Sequence, residues 1–162
     1  PVFRLHGFRD KKDRPQSPPV TLDGFCYSGG PNELWSYGEE ACEIMKHYVE
    51  IRERLRPYIC RQFQAASREG MPVMRPLFFD FGEELCYGIF DQYMFGPDIM
   101  VCPVYEKGIR ERKVYLPAGE SWKDAATGRE YEGGTWITAG APLERIPLFL
   151  RKGTELEERI FQ

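Results

Sequence analysis

Apolar residues return every three or four positions through one long stretch of the chain, which is the spacing of an amphipathic helix. The apolar members are Ala41, Ile44, Met45, Tyr48, Ile51, Leu55, Ile59, Phe63 and Ala66. Ser36 and Glu39 form an S-x-x-E pattern typical of a helix N-terminus, and Gly70 predicts the C-terminal end. Because Pro57 lies inside the stretch, we expect a kink or two abutting helices there.

Strand patterns flank the predicted helix on both sides. Residues 1–7 (PVFRLHG) alternate apolar and polar side chains and predict a strand. Residues 8–33 are rich in proline, glycine and charge and predict a long loop, a kind of segment that in compact domains is usually functional or disordered. Residues 72–81 (PVMRPLFFDF) predict another strand, which two prolines place at a sheet edge or end early. A short helix and a turn are expected for residues 83–96.

The pattern changes after Phe81, and from Ile99 onward short apolar runs alternate with turn signals. The runs include IMVCPV, RKVYLP, TWIT and IPLFLRKG, with a further short run around Trp122. Several short strands at this spacing predict an antiparallel sheet or sandwich. One strand and one helix ahead of such a β half cannot bury their own apolar faces, so we expect the N-terminal half to be the end of a larger fold.

Composition narrows the classes of function. Apolar residues make up 42% of the 162 residues, which is enough for a buried core, and the net charge is −3. Nucleic-acid binding needs a clustered basic surface, which this charge balance argues against. No apolar run approaches the roughly 20 residues of a membrane-spanning helix. We therefore expect neither a nucleic-acid partner nor a membrane segment.

Cysteine and histidine usage argues against a metal or cofactor site. The five cysteines are scattered, no CxxC pair occurs, and the two histidines lie far apart in the sequence. Zinc needs clustered ligands, so neither a metal nor a cofactor is expected. Reduced cysteines packed as small hydrophobic side chains are the favoured interpretation, and they indicate a reducing, cytoplasmic compartment. The cysteines are Cys26, Cys42, Cys60, Cys86 and Cys102.

Arg4 and His6 are the first candidates for chemistry. Residues two apart in a strand point to the same side, so this pair would present a guanidinium and an imidazole together. Binding at a functional site is one interpretation of His6, and the other is a histidine hydrogen-bonded inside the core. For Arg4 the corresponding alternative is a buried ion pair.

Seven stretches occur in an order that is specific when taken together: FRLHG, WSYGEE, IRERLRPYI, MPVMRPLFFDF, DQYMFGPDIMVCPV, KVYLPAGESW and APLERIPLFLRKG. They resemble the C-terminal third of glycoside hydrolase family 31, which includes α-glucosidases and α-xylosidases. The resemblance implies an α+β fragment, in which residues 1–98 are the last strands and helix of a (β/α)8 barrel and residues 99–162 an antiparallel β-sandwich. On this mapping residues 1–7 resemble the seventh barrel strand and residues 72–81 the eighth.

The resemblance also implies a site. Active sites of such barrels lie at the C-terminal ends of the strands. His6 would then donate a hydrogen bond to hydroxyls of the sugar being cleaved, and Arg4 would lie beside the catalytic carboxylates. Trp35, next to the bordering loop, is a candidate platform for stacking on a sugar. The implied substrate is an oligosaccharide or glycoside, whereas Trp122 and Trp136 are expected in the sandwich core.

The catalytic carboxylates are the main departure from the family pattern. Retaining glycosidases use a nucleophile and an acid/base about 5 Å apart. The family carries these aspartates on earlier barrel strands, and neither of their motifs occurs here. We therefore nominate no catalytic residue: Asp91 and Asp98 are expected to be structural, as is the cation of Arg75. The chain alone is expected to be inactive.

Two hypotheses remain open from the sequence. The first is the C-terminal portion of a retaining α-glycosidase that hydrolyses terminal α-linked glucose or xylose. The alternative is a non-catalytic module that binds carbohydrate or a protein partner through its β half. Under the first hypothesis we also expect self-association, because a barrel remnant would expose apolar surface and unpaired strand edges.

Overall fold

The computed structural model of the chain describes residues 32–156 and residue 161. The described residues belong to two compact units, with the division between Glu53 and Arg54. The first described unit is helical, and the second contains several helices and all the described strands. The strand expected for residues 1–7 and most of the loop expected for residues 8–33 lie outside the described residues.

The first described unit contains a 3₁₀ helix, Leu34–Tyr37, and all but the last residue of helix α1, Glu39–Arg54. The Ser36 hydroxyl donates to the Glu33 carboxylate at 2.9 Å, and the Ser36 N–H donates to the Glu33 carbonyl at 2.8 Å. Ser36 therefore stabilises the 3₁₀ turn, and the predicted capping box between Ser36 and Glu39 is wrong. Helix α1 instead begins with two glutamates, whose charge is favourable at a helix N-terminus.

Helix α2, Arg56–Glu69, follows α1 after the single residue Leu55. Pro57 lies in its first turn, where a missing backbone N–H removes no intrahelical hydrogen bond. The prediction of two abutting helices is thus confirmed. Gly70 ends α2 in the left-handed conformation with φ +74°, and its N–H donates to the Ala66 carbonyl at 3.1 Å, which confirms the predicted C-terminal end.

Eight strands lie within the described range and form two antiparallel sheets. One sheet has six strands in the order β1-β2-β3-β8-β5-β6, and β4 pairs with β7 in a separate ribbon. The prediction of an antiparallel β half is confirmed. The strands are β1 Met74–Pro76, β2 Tyr93–Phe95, β3 Ile99–Val101, β4 Glu111–Leu116, β5 Ser121–Asp124, β6 Glu130–Glu132, β7 Thr135–Gly140 and β8 Leu148–Arg151.

The strand expected for residues 72–81 covers only Met74–Pro76, at one edge of the six-stranded sheet. The prediction that its prolines place it at an edge or end it early is confirmed, and the chain turns into a helix at Pro76. Helix α3, Leu77–Asp80, follows strand β1 directly. Leu77 and Phe81 are both buried, and the Phe81 N–H donates to the Leu77 carbonyl at 2.9 Å. Burial at positions four apart is a helical period, which the apolar run concealed.

The short helix and turn expected for residues 83–96 are confirmed: a 3₁₀ helix, Glu84–Gly88, precedes β2. Strands β1 and β2 pair antiparallel and belong to the same sheet as β3. The assignment of residues 1–98 to a barrel and the domain boundary before residue 99 stay predictions.

The six-stranded sheet and the β4–β7 ribbon share one hydrophobic core. Trp122 is its largest fully buried side chain, which confirms its predicted place in the core. The Trp122 indole N–H donates to the Pro117 carbonyl at 3.0 Å, and the Phe81 ring meets the indole edge-on at a centroid distance of 5.8 Å. The indole is therefore buried with its polar group satisfied. Further core members are Met94, Met100, Val114, Leu116 and Phe149.

Tyr58 holds helix α2 against the turn between β2 and β3. Its hydroxyl donates to the Phe95 carbonyl at 3.0 Å and accepts the Asp98 N–H at 3.3 Å. Gly96 lies between these groups at φ +62°, and a Cβ atom there would stand 2.1 Å from the Tyr58 oxygen. The close approach of the helix to the sheet therefore requires glycine at this position.

Candidate functional site

Of the three predicted sugar-contacting residues, only Trp35 falls within the part of the chain that the structure describes. Trp35 lies on the 3₁₀ helix Leu34–Tyr37 and is 73% exposed, so its ring is available for stacking. Arg4 and His6 lie outside the described residues. The grouping of these three side chains at one sugar site stays a prediction.

Arg75 and Asp80 form a buried ion pair at the start of the six-stranded sheet. Arg75 on β1 is 4% exposed, and its Nε lies 3.3 Å from Oδ2 of Asp80 on α3. Neither atom makes a hydrogen bond, so the two charges face each other without good alignment. The Phe79 ring lies 5.8 Å from the Arg75 guanidinium carbon. This burial agrees with the expectation that Arg75 is a structural cation.

A second guanidinium, that of Arg151 on β8, contributes to the electrostatics around Asp80. Burial raises the pKa of the Asp80 carboxyl, and the cations of Arg75 and Arg151 oppose that rise. Arg151 also stacks over the Phe81 ring at 5.2 Å and lies 3.6 Å from a Glu120 carboxylate oxygen. Arg75, Asp80, Glu120 and Arg151 therefore connect the α3 segment to strand β8. The negative charges of the two acids are balanced by the two arginines.

Glu83 joins the segment before β2 to the β4–β5 connection. Its carboxylate accepts the Tyr115 hydroxyl at 2.5 Å and the Ala118 N–H at 2.6 Å. Burial first, and then the hydrogen bond to Glu83, raise the pKa of the Tyr115 phenol to about 12. Because the carboxylate accepts from a side chain and a backbone N–H that lie 32 and 35 positions further along the chain, we interpret Glu83 as a structural clamp.

Replacing Tyr115 by Phe tests this clamp through pH. The folded-state pKa of about 12 lies above the usual 10.0, so the folded protein holds this proton more tightly than the unfolded chain. The advantage of the wild type over Tyr115→Phe should be complete below pH 10 and disappear as the pH rises through about 12. Denaturant unfolding across this pH range measures it, and the exposed Tyr105→Phe is the control. A difference that does not change with pH would contradict the clamp.

Other carboxylates in the described part of the chain also serve the fold. Asp91 lies 2.6 Å from the Arg112 guanidinium. Asp124 pairs with Arg145, and its other oxygen accepts the N–H groups of two following residues at 2.9 and 3.1 Å. These acids are held by arginines or by backbone donors, which is the environment of a structural carboxylate. This agrees with the expectation that Asp91 is structural.

The cysteines match the sequence interpretation in part. Cys42, Cys86 and Cys102 are buried free thiols, as predicted, whereas Cys60 on α2 is exposed and the prediction of burial is wrong there. Burial raises the pKa of the Cys86 thiol to about 11 and also raises that of Cys102, so both are inert as nucleophiles. Cys26 lies outside the described residues.

Among the described residues, no group of three or more histidine, cysteine, aspartate or glutamate side chains could hold a metal ion. No helix in the described range is long and apolar enough to cross a bilayer.

Trp136 was expected in the core but is 50% exposed, with its ring 5.3 Å from that of Tyr115. The prediction that Trp136 lies in the sandwich core is therefore wrong.

The sequence did not predict two polar clusters, the ion pair of Arg75 with Asp80 and the contacts of Glu83 with Tyr115 and Ala118. The ion pair of Arg75 with Asp80 could have been predicted, because residues five positions apart come close when a strand turns directly into a helix. The contacts of Glu83 had none, since its partners lie 32 and 35 positions further along the chain. Such long-range contacts depend on the fold itself.

The described residues form a predominantly antiparallel β domain preceded by helices. The buried polar groups of this domain contact one another and stabilise its packing. The family model for the glycosyl hydrolase family 31 C-terminal domain matches residues 70–156. The chain belongs to glycoside hydrolase family 31, and the family resemblance stated from the sequence is confirmed.

Three relatives illustrate the similarity. The crystal structure of a family 31 α-xylosidase from a soil metagenome, complexed with xylose, has 52% identity and a TM-score of 0.82 over 94% of this chain and 23% of that chain. The α-xylosidase of Saccharolobus solfataricus is 39% identical over 78% of this chain and 17% of its own length. A probable glucan 1,3-α-glucosidase of Arabidopsis thaliana is 35% identical over 95% of this chain and 15% of its own length. The chain thus spans less than a quarter of these relatives.

Proposed function

We propose that the chain is the C-terminal portion of a retaining α-glycosidase that hydrolyses terminal α-linked glucose or xylose. The observation that carries this proposal is the 52% identity and TM-score of 0.82 to a family 31 α-xylosidase complexed with xylose. Both sugars stay open, because the relatives include α-glucosidases as well as α-xylosidases.

In this proposal residues 1–98 form the end of a (β/α)8 barrel and residues 99–162 its proximal β-sandwich. His6, Arg4 and Trp35 form one wall of the sugar pocket, with His6 donating to a sugar hydroxyl and Trp35 stacking on a ring. The two catalytic carboxylates come from polypeptide outside this sequence. Asp91 is paired with Arg112 and Asp124 with Arg145, so neither acid is suited to attack a sugar. These ion pairs support the proposal that the catalytic carboxylates come from elsewhere.

The proposed partner is an oligosaccharide or glycoside, with self-association as a second kind of contact. No cofactor is proposed, because hydrolysis by two carboxylates needs none. A reducing, cytoplasmic compartment is proposed from the free thiols of Cys42, Cys86 and Cys102.

The isolated chain should not hydrolyse p-nitrophenyl α-glucoside or p-nitrophenyl α-xyloside, because it lacks both catalytic carboxylate motifs. Release of p-nitrophenol measures this, with the same buffer lacking protein as the control. Turnover that survives repurification and follows the chain through a second chromatographic step would contradict the proposal.

A non-catalytic carbohydrate-binding module is the second candidate, and the half-exposed ring of Trp136 favours it. Titration with xylose and isomaltotriose, followed by tryptophan fluorescence, separates the two candidates. Saturable binding that Trp136→Ala abolishes and Trp35→Ala leaves intact would support the module. Loss of binding with Trp35→Ala alone would support the pocket wall.

A further inference from the structure

A cavity of about 240 Å³ lies between strand β4 and the segment that follows strand β3. Three consecutive residues of β4 line it, and β4 pairs with β7 alone among the described strands, so its other edge is open. We call this space the β4 cavity. The lining residues that carry a charge or a ring are Asp91, Tyr105, Glu106, Glu111, Arg112 and Lys113.

The Arg112 guanidinium forms a fixed wall of the β4 cavity. Its side chain is 9% exposed, and its Nη2 lies 2.6 Å from the Asp91 carboxylate. Its Nη1 donates to the carbonyls of Asp91 and Pro103 at 2.9 and 2.5 Å, and its Nε donates to the Lys113 carbonyl at 3.1 Å. Because these contacts join β4 to the segments before β2 and after β3, the cavity is formed before any ligand arrives.

Three charged side chains of the lining, those of Glu106, Glu111 and Lys113, are exposed. No hydrogen bond or ion pair joins them to another of the described residues. The cavity therefore offers two hydrogen-bond acceptors and one donor that the fold does not use. Since Asp91 and Arg112 neutralise each other, the lining has a formal net charge of −1.

An aromatic ring stands beside these polar groups. The Tyr105 ring is 70% exposed, and Pro103, Val104 and Ile109 add apolar surface to the same cavity. A sugar presents C–H groups on the faces of its ring and hydroxyls, which both donate and accept, around its edge. An aromatic platform flanked by carboxylates and an ammonium group is complementary to both features.

The charge and volume of the β4 cavity disfavour other ligands. The net negative charge disfavours phosphate groups, and the cations of Arg112 and Lys113 disfavour an amine. Among the described residues, no group of side chains could hold a metal ion. The volume is below the roughly 300–1,000 Å³ of sites for drug-sized ligands, which suits a single sugar ring.

The exposed charges also disfavour a second polypeptide as the occupant. The centres of protein–protein interfaces are depleted in lysine and glutamate, because a charge that is buried without a partner is costly. We therefore expect the β4 cavity to open to solvent in a longer enzyme as well.

We propose that the β4 cavity is a saccharide-binding site for one neutral sugar ring. Tyr105 stacks on a face of the sugar, the carboxylates of Glu106 and Glu111 accept from its hydroxyls, and the Lys113 ammonium donates to a sugar oxygen. The site uses none of the three residues proposed for the pocket wall. It depends on the glycosidase proposal only for the class of ligand.

Titration of the isolated chain with xylose, followed by NMR of ring-labelled tyrosine and tryptophan, tests the site. Xylose should shift the Tyr105 resonances with a dissociation constant on the order of 1 mM, as expected for so small a ligand. Glu111→Ala should weaken binding at least about fivefold, because it removes a charge-assisted hydrogen bond. Glu84→Ala removes an exposed carboxylate that does not line the cavity, and this matched control should leave the dissociation constant unchanged.

Thiol labelling tests whether the cavity is open in a longer enzyme. Tyr105→Cys should take up one more maleimide than its parent, which carries the exposed Cys60. This should hold for the isolated chain and for the soil-metagenome α-xylosidase with its matching part replaced by this chain. Extra labelling of the isolated chain alone would show that other polypeptide fills the cavity, and would overturn the proposal.

The titration has further outcomes that would overturn the proposal. Tyr105 resonances that do not move up to about 100 mM xylose would do so, as would equal weakening by Glu111→Ala and Glu84→Ala. Shifts confined to Trp35 or Trp136 would assign xylose to the pocket wall or to the module instead. Because the titration is read without hydrolysis, each of these results leaves the glycosidase proposal standing.

Discussion

Replacing His6 by Ala is expected to lower kcat/KM by about 30- to 1000-fold in a full-length enzyme that carries this sequence. The reason is the predicted place of His6 at the C-terminal end of a barrel strand, where its imidazole would donate to a sugar hydroxyl. A hydrogen bond that strengthens in the oxocarbenium-like transition state contributes about 2–4 kcal/mol. The enzyme for this test is the soil-metagenome α-xylosidase with its matching part replaced by this chain.

The melting temperature of the same preparation separates this role from a packing role. A sugar-contacting His6 predicts unchanged melting and strongly reduced kcat/KM. A core histidine predicts the reverse, with lowered melting and nearly normal kinetics of the folded enzyme. His47→Ala is the matched control, since His47 lies on α1 with its ring against Tyr48 and has no predicted contact with sugar.

Trp122→Ala is expected to destabilise the chain by about 3–5 kcal/mol, a large share of the roughly 5–15 kcal/mol that holds a domain folded. The indole is fully buried between the two sheets and is in edge contact with Phe81. Its loss leaves a cavity in the shared core and also leaves the Pro117 carbonyl without its N–H donor.

Denaturant unfolding measures this loss, with Trp35→Ala as the control. Both changes remove an indole, but Trp35 is 73% exposed and its removal should change the free energy of unfolding little. Equal effects of the two substitutions would show that the core does not depend on Trp122 in the way its burial indicates.

The elements that local chemistry determines were predictable from the sequence. Pro57 separates two helices because it fits only a first turn, and Gly70 ends the second because it adopts a left-handed conformation without strain. The antiparallel β half followed from short apolar runs between turn signals. Trp122 followed as a core residue because it stands inside one of those runs.

The errors arose where a local pattern fits two structures. Residues 77–81 are apolar enough for a strand, but Pro76 starts a helical turn that buries Leu77 and Phe81 on one side. Ser36 could cap the helix that follows it, yet its hydroxyl pairs backward with Glu33. Short-range hydrogen-bonding residues offer such alternatives, and the neighbouring backbone decides between them.

The polar clusters could not be read from the sequence, because their partners are brought together by the fold. Glu83 contacts Tyr115 on β4 and Ala118 in the β4–β5 connection, which lie 32 and 35 positions further along the chain. The apolar run of residues 77–90 likewise did not reveal which of its side chains are buried and which are exposed. The predicted roles of Arg4 and His6 depend on the family resemblance and stay predictions.

The turnover of p-nitrophenyl α-xyloside and p-nitrophenyl α-glucoside, measured side by side for the isolated chain and for the α-xylosidase carrying it, tests the central claim most directly. The account predicts no turnover by the isolated chain and hydrolysis, with retention of anomeric configuration, by the enzyme that carries it. A correctly folded replacement enzyme that binds sugar but hydrolyses neither substrate would contradict it, as would turnover by the isolated chain.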